Sequence, residues 1–202
     1  MSKTKIKKPY YFHDPIEGLP VAQSKLIDES FQELRDTWGD PEIVIEIGTM
    51  GGGFSVFLAQ MFPDSEVHTF DPVLWGDTSD LKRREETFSR YGIHYHNEDC
   101  FARDGAKIRS MLDGKVLLLC DGAHKKNEFA HFSQFIKPGS VIMVHDYGRD
   151  VEYFKKNIEG IYWTSSMEFD GSEFVIWCRE KNLEPFLQDL FEKSIWFIRK
   201  KF

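Results

Sequence analysis

The chain has 202 residues, enough for one sizeable domain with a buried core. Its 26 basic and 33 acidic side chains give a formal charge of −7, which provides no bulk attraction to nucleic acid phosphate. No apolar run approaches the ~20 residues that span a membrane, and the basic amino terminus lacks the apolar core of a signal peptide. Three widely spaced cysteines favour a reducing compartment. We therefore expect a soluble, cytoplasmic protein without a membrane partner.

The sequence predicts an irregular arm followed by alternating helices and strands. Residues 1–23 are rich in proline and are interpreted as the arm, whereas residues 24–202 are interpreted as a single domain. After a first helix come five strand-like runs separated by helix-like runs: "EIVIEI", "EVHTFD", "IHYHNED", "KVLLLCD" and "SVIMVHD". This alternation predicts a parallel sheet covered by helices on both faces.

The carboxyl-terminal part departs from this alternation. The strand-like runs "IYWTSSMEF" and "SEFVIWCRE" are joined by "DGS", which predicts an antiparallel hairpin at the sheet edge. A helix is predicted over about 182–198, and its aromatic face would either pack on the core or form a homodimer interface. The predicted fold class is α/β, a Rossmann-like, doubly wound, seven-stranded sheet that is mostly parallel with an antiparallel carboxyl-terminal hairpin strand.

Acidic residues close all five predicted parallel strands. In an open parallel sheet, ligands bind at the carboxyl ends of the strands. The acids at these ends are Glu46, Asp71, Asp99, Asp121 and Asp146. They exceed what capping and turn chemistry need, which predicts a binding site at this edge. Asp99 is equally well explained as a turn residue.

Glycines follow the first strand in "IVIEIGTMGGG", and three in a row indicate a sharp turn and a close approach to another group. Asp71 lies 23 positions after Gly48, a placement suited to accepting two hydroxyl protons from a ribose. A solvated cap is the alternative role for Asp71. Neither G-x-G-x-x-G nor G-x-x-x-x-G-K-[ST] occurs. An NAD(P)-dependent Rossmann-type oxidoreductase is therefore only the alternative enzyme class.

The E-x-G-x-x-x-G pattern of Glu46, Gly48 and Gly52 resembles the first motif of class I S-adenosylmethionine-dependent methyltransferases. The "FDP" that contains Asp71 looks like their second-strand motif. This resemblance implies S-adenosylmethionine as the cofactor. Gly48 and Gly52 would line its methionine end, Glu46 would orient its amino group, Asp71 would bind the ribose and Asp99 the adenine edge.

A closer resemblance covers residues 18 to about 148. "GLPVAQ", "EIGTMGGG", "LLLCDGAH" and "KPGSVIMVHDYG", in this order, are similar to a subgroup that contains macrolide-sugar O-methyltransferases and cephalosporin-hydroxylase-like proteins. It implies methylation of a hydroxyl on a small molecule or a sugar. A histidine in the "DGAH" motif is the base in the sugar enzymes, which implies that role for His124, with Asp121 beside it in the catalytic and cofactor-binding sets. A surface or capping histidine is the alternative.

Metal-dependent relatives use the acid ending the fourth strand and two adjacent oxygen ligands ending the fifth. This implies Asp121, His145 and Asp146 as ligands of a divalent cation, Mg²⁺ or Mn²⁺. Mg²⁺ prefers oxygen ligands, so the histidine indicates either a softer ion or no metal. A non-catalytic cofactor-binding protein with the same fold therefore stays open as a further alternative.

Two other features have open interpretations. His94 and His96 share one face of the third strand, as a pair of metal ligands would. Without a third partner in the sequence, a packing or surface pair is the preferred interpretation. Trp75, in the loop after Asp71, is expected either to pack on adenine or to be an ordinary core or surface residue.

Overall fold

The computed structural model describes residues 13–162 and 166–202. Most of the predicted arm, residues 1–12, and three residues of the predicted hairpin, 163–165, lie outside these ranges. The helices of the described part are α1 (Ile27–Trp38), α2 (Gly53–Met61), α3 (Thr78–Tyr91), α4 (Ala106–Ser110), α5 (Lys125–Phe132), α6 (Val151–Asn157), α7 (Val175–Glu180) and α8 (Gln188–Phe191). None of these described helices has the length and apolar character needed to cross a membrane.

The strands of the described part are β1 (Ile43–Ile47), β2 (Glu66–Phe70), β3 (His94–His96), β4 (Val116–Cys120), β5 (Val141–Val144), β6 (Tyr147–Gly148), β7 (Phe169–Asp170), β8 (Leu183–Pro185) and β9 (Phe197–Lys201). Seven of them form one sheet in the order β3-β2-β1-β4-β5-β9-β8. β1 to β5 are parallel, whereas β9 is antiparallel to both β5 and β8. The predicted α/β fold, mostly parallel with an antiparallel carboxyl-terminal hairpin, is confirmed.

Side chains of the central strands alternate between two apolar cores. In β4, Leu117 and Leu119 face the core that also contains residues of α1 and α2, whereas Leu118 and Cys120 face the core beneath α5. All five β4 residues are buried, because helices cover both faces of the sheet. The strand order reverses between β1 and β4, and this switch point is where an open sheet forms its crevice.

The predicted helix over 182–198 is wrong. This segment contains the strand β8, the short helix α8 and the start of the strand β9. β9 pairs along β5, and this pairing satisfies the hydrogen-bonding groups on that side of β5. Phe191, Trp196 and Phe197 are buried in the cores. These aromatic residues therefore pack in the cores. The homodimer stays a prediction, but the predicted helix no longer supports it.

The predicted hairpin over residues 161–180 is also wrong in its location. Its second run forms a 3₁₀ turn, Gly171–Phe174, followed by α7. Phe174, Trp177 and Cys178 pack on the second core at helical spacing, whereas Val175 and Ile176 are exposed. The i, i+3, i+4 spacing of these three residues is typical of a helix. Val175 and Ile176, which lie between them and favour strands, obscured this pattern in the sequence.

Candidate functional site

A cavity of about 870 Å³ lies at the carboxyl ends of the parallel strands. The arm forms part of its wall through Pro15, Pro20, Val21 and Gln23. The cavity brings together nearly all of the residues predicted for the site: Glu46, Gly48, Asp71, Asp99, Asp121, His124, His145 and Asp146. Gly52 does not line it and instead precedes α2 as the N-cap residue.

The glycines after β1 allow the backbone to approach other parts of this chain. Gly48 has φ +100°, and a Cβ there would overlap the carbonyl oxygen of Asp121. A Cβ at Gly53 would lie 2.5 Å from the carbonyl oxygens of Leu19 and Pro20. The close approach predicted from the glycine run is therefore toward the loop after β4 and toward the arm. The cavity wall is assembled by these contacts.

Glu46 is a buried carboxyl group on the α2 side of β1. The hydroxyl of Thr69 donates to its Oε2 at 2.6 Å, and the hydroxyl of Ser55 in α2 donates to the same oxygen. Burial raises the pKa of Glu46 to about 8, although these hydroxyls act in the opposite direction. Burial therefore favours the protonated form of this carboxyl group. Thr69 and Ser55 were not identified from the sequence, because nothing in a single chain shows which hydroxyl faces a neighbouring strand.

Asp71 ties the loops after β1 and β2 together. Its Oδ1 accepts the backbone N–H of Val73 at 2.8 Å, and its Oδ2 accepts the backbone N–H of Met50 at 2.9 Å. The indole N–H of Trp75 also donates to Oδ2, at 3.1 Å. A carboxylate offers about four acceptor positions. A ribose diol would need two of them, so one of the three present donors would have to leave for a diol to bind. Trp75 is 49% exposed and is the donor best able to do so.

Asp99 is exposed and accepts the backbone N–H of Phe101 at 2.8 Å. This contact is the turn interaction that was the alternative interpretation of Asp99. The residue also lines the cavity, so its predicted place at an adenine edge stays a prediction.

Asp121, His145 and Asp146 form a buried cluster. Nδ1 of His145 lies 3.0 Å from Oδ1 of Asp121 and 3.6 Å from Oδ1 of Asp146. Burial opposes protonation of the ring, but the two adjacent carboxylates outweigh it and raise the pKa of His145 above its ordinary value. One ligand atom from each residue lies within 4.8 Å of the others, a separation that one ion can bridge.

Lys125 brings a positive charge into this cluster and was missed by the sequence reasoning. Its Nζ lies 3.1 Å from Oδ2 of Asp146, 3.7 Å from Oδ1 of Asp121 and 2.9 Å from the carboxylate of Glu168. Attraction to these carboxylates outweighs burial and raises the pKa of Lys125. The available signal was its i+4 spacing from Asp121 at the start of α5. The ammonium therefore lies beside the same carboxylates that an ion would use.

His124 lies exposed at the edge of the cavity and precedes α5 as its N-cap residue. Its side chain makes no capping hydrogen bond, so the capping alternative is wrong. Glu128 caps instead, since its carboxylate accepts the backbone N–H groups of Gly122 at 3.2 Å and His124 at 2.9 Å. Burial raises the pKa of Glu128 to about 7.

Gln23 connects the arm to the cluster, which the sequence also did not reveal. Its side-chain amide donates to Oδ2 of Asp121 at 2.8 Å, and its amide oxygen accepts the indole N–H of Trp196 at 3.1 Å. The ring of Trp196 packs against His145, with centroids 4.7 Å apart. The arm, through Gln23, and Trp196, the residue before β9, therefore both contact the cluster.

The sequence matches no protein-family model and no curated protein at a significant level. Solved structures share the fold. The CmcI-N160 apo structure is 13% identical with a TM-score of 0.61, covering 93% of this chain and 76% of that chain. The Mg-SAM structure of CmcI-D160 is 14% identical with a TM-score of 0.57, covering 94% and 76%. An O-methyltransferase family protein from Burkholderia thailandensis is 9% identical with a TM-score of 0.56, covering 87% and 55%.

These likenesses agree with the resemblance drawn from the sequence motifs. The chain has the Rossmann-like fold of class I methyltransferases, and the CmcI structures are among those that share it. At these identities the likeness establishes the fold, and the chemistry has to be argued from the residues of this cavity.

Proposed function

We propose that the chain is an S-adenosylmethionine-dependent methyltransferase that acts on a hydroxyl oxygen of a small molecule or a sugar. The observation that carries this proposal is the convergence of Glu46, Asp71, Asp121 and His124 on one cavity of about 870 Å³ at the switch point of the sheet. The similar fold of the Mg-SAM structure of CmcI-D160 supports it. No observation favours the oxidoreductase alternative, since its glycine pattern does not occur in the chain.

In this proposal the cofactor lies across the loops after β1, β2 and β3. Its ammonium group neighbours Glu46, whose raised pKa makes the carboxylate form depend on a nearby cation. Asp71 would accept the ribose hydroxyls in place of the Trp75 indole, and Asp99 would lie beside the adenine edge. Gly48 allows the backbone to stay close to the methionine end, where a side chain would collide with the β4 loop.

The acceptor hydroxyl approaches the sulfonium methyl group in line with the carbon–sulfur bond. The new carbon–oxygen bond forms as the carbon–sulfur bond breaks, and its electron pair leaves with the sulfur of S-adenosylhomocysteine. The hydroxyl proton passes to the ring of His124, which lies at the cavity edge and is not used in capping. Positioning and general-base catalysis both contribute, the latter typically about 10²–10⁴-fold.

Asp121, His145 and Asp146 would hold a divalent cation, and their mixed imidazole and carboxylate donors suit Mn²⁺ better than Mg²⁺. Such an ion lowers the pKa of a bound hydroxyl as a Lewis acid. Lys125 competes with it, because the ammonium already lies 3.1 Å from Asp146. The Lys125 ammonium would have to withdraw from Asp146 for these residues to hold an ion.

The cofactor part of the proposal is tested by calorimetric titration of the purified chain with S-adenosylhomocysteine. We expect binding that Asp71→Ala weakens about tenfold or more, since a hydrogen bond to a charged group is worth about 1.5–3 kcal/mol. Asp113→Ala is the matched control, because Asp113 is an exposed aspartate whose ion pair with Lys137 lies on the surface. Absence of binding to the wild-type chain would overturn the methyltransferase proposal and leave the fold unaffected.

The catalytic part is tested with S-adenosylmethionine carrying a labelled methyl group and a panel of phenols and sugars. His124→Ala is expected to lower kcat by about 10²–10⁴-fold while leaving the affinity for S-adenosylhomocysteine unchanged. Equal turnover in the variant and the wild type would refute the base assignment. Tight binding without turnover on any acceptor would favour the non-catalytic alternative.

A further inference from the structure

A second cluster of metal-ligating side chains lies on the outer part of the sheet, away from the cavity. It is built from β2 and β3, where His68 is the register partner of His94. Glu66 lies two residues before His68, so it projects from the same face of the sheet. The structure therefore supplies the partners that the histidine pair of β3 lacked in the sequence.

The geometry of this cluster matches one small transition-metal ion. Oε1 of Glu66 lies 3.0 Å from Nε2 of His68 and 3.5 Å from Nε2 of His94, and one ligand atom from each residue lies within 4.8 Å of the others. In a tetrahedral zinc site with bonds of 2.0–2.1 Å, neighbouring ligand atoms are about 3.3 Å apart. The two separations from Oε1 of Glu66 differ from this value by only a few tenths of an ångström.

His96 orients the central ligand of the cluster. Its Nε2 lies 2.9 Å from Nδ1 of His68, and the two rings are stacked with an interplanar angle of 6°. A metal-bound imidazole commonly donates its other ring N–H to a neighbouring acceptor, which fixes its tautomer. Here Nδ1–H of His68 would donate to His96, leaving Nε2 as the ligand atom.

The cluster is open to solvent on one side. His68 is 8% exposed and anchors it, whereas the side chains of Glu66 and His94 are each 53% exposed. Lys107, the neighbouring cation from α4, is paired with Glu98 at 2.6 Å and so has its own counter-charge. Along β2, at about 3.3 Å per residue, Asp71 lies ~16 Å from Glu66 and ~10 Å from His68.

We propose that Glu66, His68 and His94 form a zinc site that joins the edge strand β3 to β2. Two imidazoles and one carboxylate are the donor set of a three-ligand zinc site, with water in the fourth position. The same set disfavours Mg²⁺ and Ca²⁺, which take oxygen ligands. Glu66 and His94 begin their strands and His68 lies in the middle of β2, and the site does not depend on the proposed methyl transfer.

The test uses the full chain, stripped of metal with a chelator, and titrates it with Co²⁺ in the presence of excess Mg²⁺. Mg²⁺ competes for the oxygen ligands of the Asp121 cluster but not for the imidazoles. Tetrahedral Co²⁺ absorbs visible light strongly, and Zn²⁺ displaces it and removes the absorption. The variants His94→Ala and Glu66→Gln alter half-exposed side chains, so the metal-free fold is retained and is checked by thermal unfolding.

Mutating a residue that only supports a metal ligand typically lowers metal affinity about 10–100-fold. Each of these variants alters a ligand itself, so we expect a larger loss of Co²⁺ and Zn²⁺ affinity. His131→Ala, which alters a histidine on α5, should leave the affinity unchanged, as should Asp146→Asn in the cavity. Zn²⁺ should also raise the Tm of the wild-type chain but not that of His94→Ala. The proposal is overturned by an absence of tetrahedral Co²⁺ absorption, by equal affinities in wild type and His94→Ala, or by loss of the absorption in Asp146→Asn.

Discussion

Removal of the Lys125 ammonium tests how much this cation stabilises the folded chain against the charge of two buried carboxylates. Lys125→Met keeps most of the aliphatic chain and removes the charge. Asp146 and Asp121, whose side chains are only 12% and 15% exposed, then lose a cation that lies 3.1 and 3.7 Å away. The carbonyl oxygen of Gly122 also loses a donor at 3.0 Å.

The expected cost follows from the burial of each partner. Removing one member of a buried ion pair costs about 3–5 kcal/mol, because the remaining charge is left uncompensated. The pair with Glu168 adds little, about 0–1 kcal/mol, since that carboxylate is 50% exposed. Lys125 acts to lower the pKa of His145, so its removal shifts that ring toward the charged form and offsets part of the loss. We therefore expect a loss near the lower end, about 3 kcal/mol.

The assay is urea unfolding at pH 7, with the free energy of unfolding compared at equal m-values. Lys126→Met is the matched control, since the adjacent lysine makes an exposed ion pair with Glu173 and should contribute at most about 1 kcal/mol. A loss in Lys125→Met no greater than that in Lys126→Met would refute the reasoning. Mn²⁺ should bind the Lys125 variant more tightly than the wild type and restore part of its stability.

Two further predictions concern single side chains of the cavity. Cofactor binding should change the tryptophan emission, because the proposed ribose would displace the Trp75 indole, which now donates to Asp71. Trp75→Phe should remove the change, and constant wild-type emission during a calorimetrically confirmed titration would contradict this. The pKa of Glu46 is raised from 4.5 to about 8, so the stability it contributes is present below pH 4.5 and is lost as the pH rises through about 8. Glu46→Gln should flatten that slope between pH 4.5 and 8 in cofactor-free unfolding measurements, and equal slopes would contradict the assignment.

The residues of the cavity were largely predictable because strand ends in a parallel sheet meet at one edge. Glu46, Asp71 and Asp121 follow apolar runs that are too short and too β-branched for helices. Lys125 and Gln23 were not predictable in the same way. Each acts through a neighbour that the fold brings close, and an isolated lysine or glutamine in a sequence has no pattern that marks its partner.

The carboxyl-terminal part shows where local pattern fails. The β-branched residues Val175 and Ile176 have a high strand propensity, which favoured a strand in this run. In the structure the run forms α7, which packs on the second core. Propensity likewise favoured a helix over the segment that ends in β9. The end of that segment instead begins β9, which pairs with β5. This pairing gives the buried backbone groups of β5 their hydrogen-bond partners.

The sequence by itself determined the class of fold, the edge of the sheet that holds the cavity and the acids that line it. These follow from hydrophobic periodicity and from the position of each acid at or just after the end of its strand, both of which are local. Only the tertiary structure decided which charges meet. Lys125 meets Asp146, and Glu66 meets two histidines, because separate elements pack close together in the fold. The sequence pattern does not show these distances.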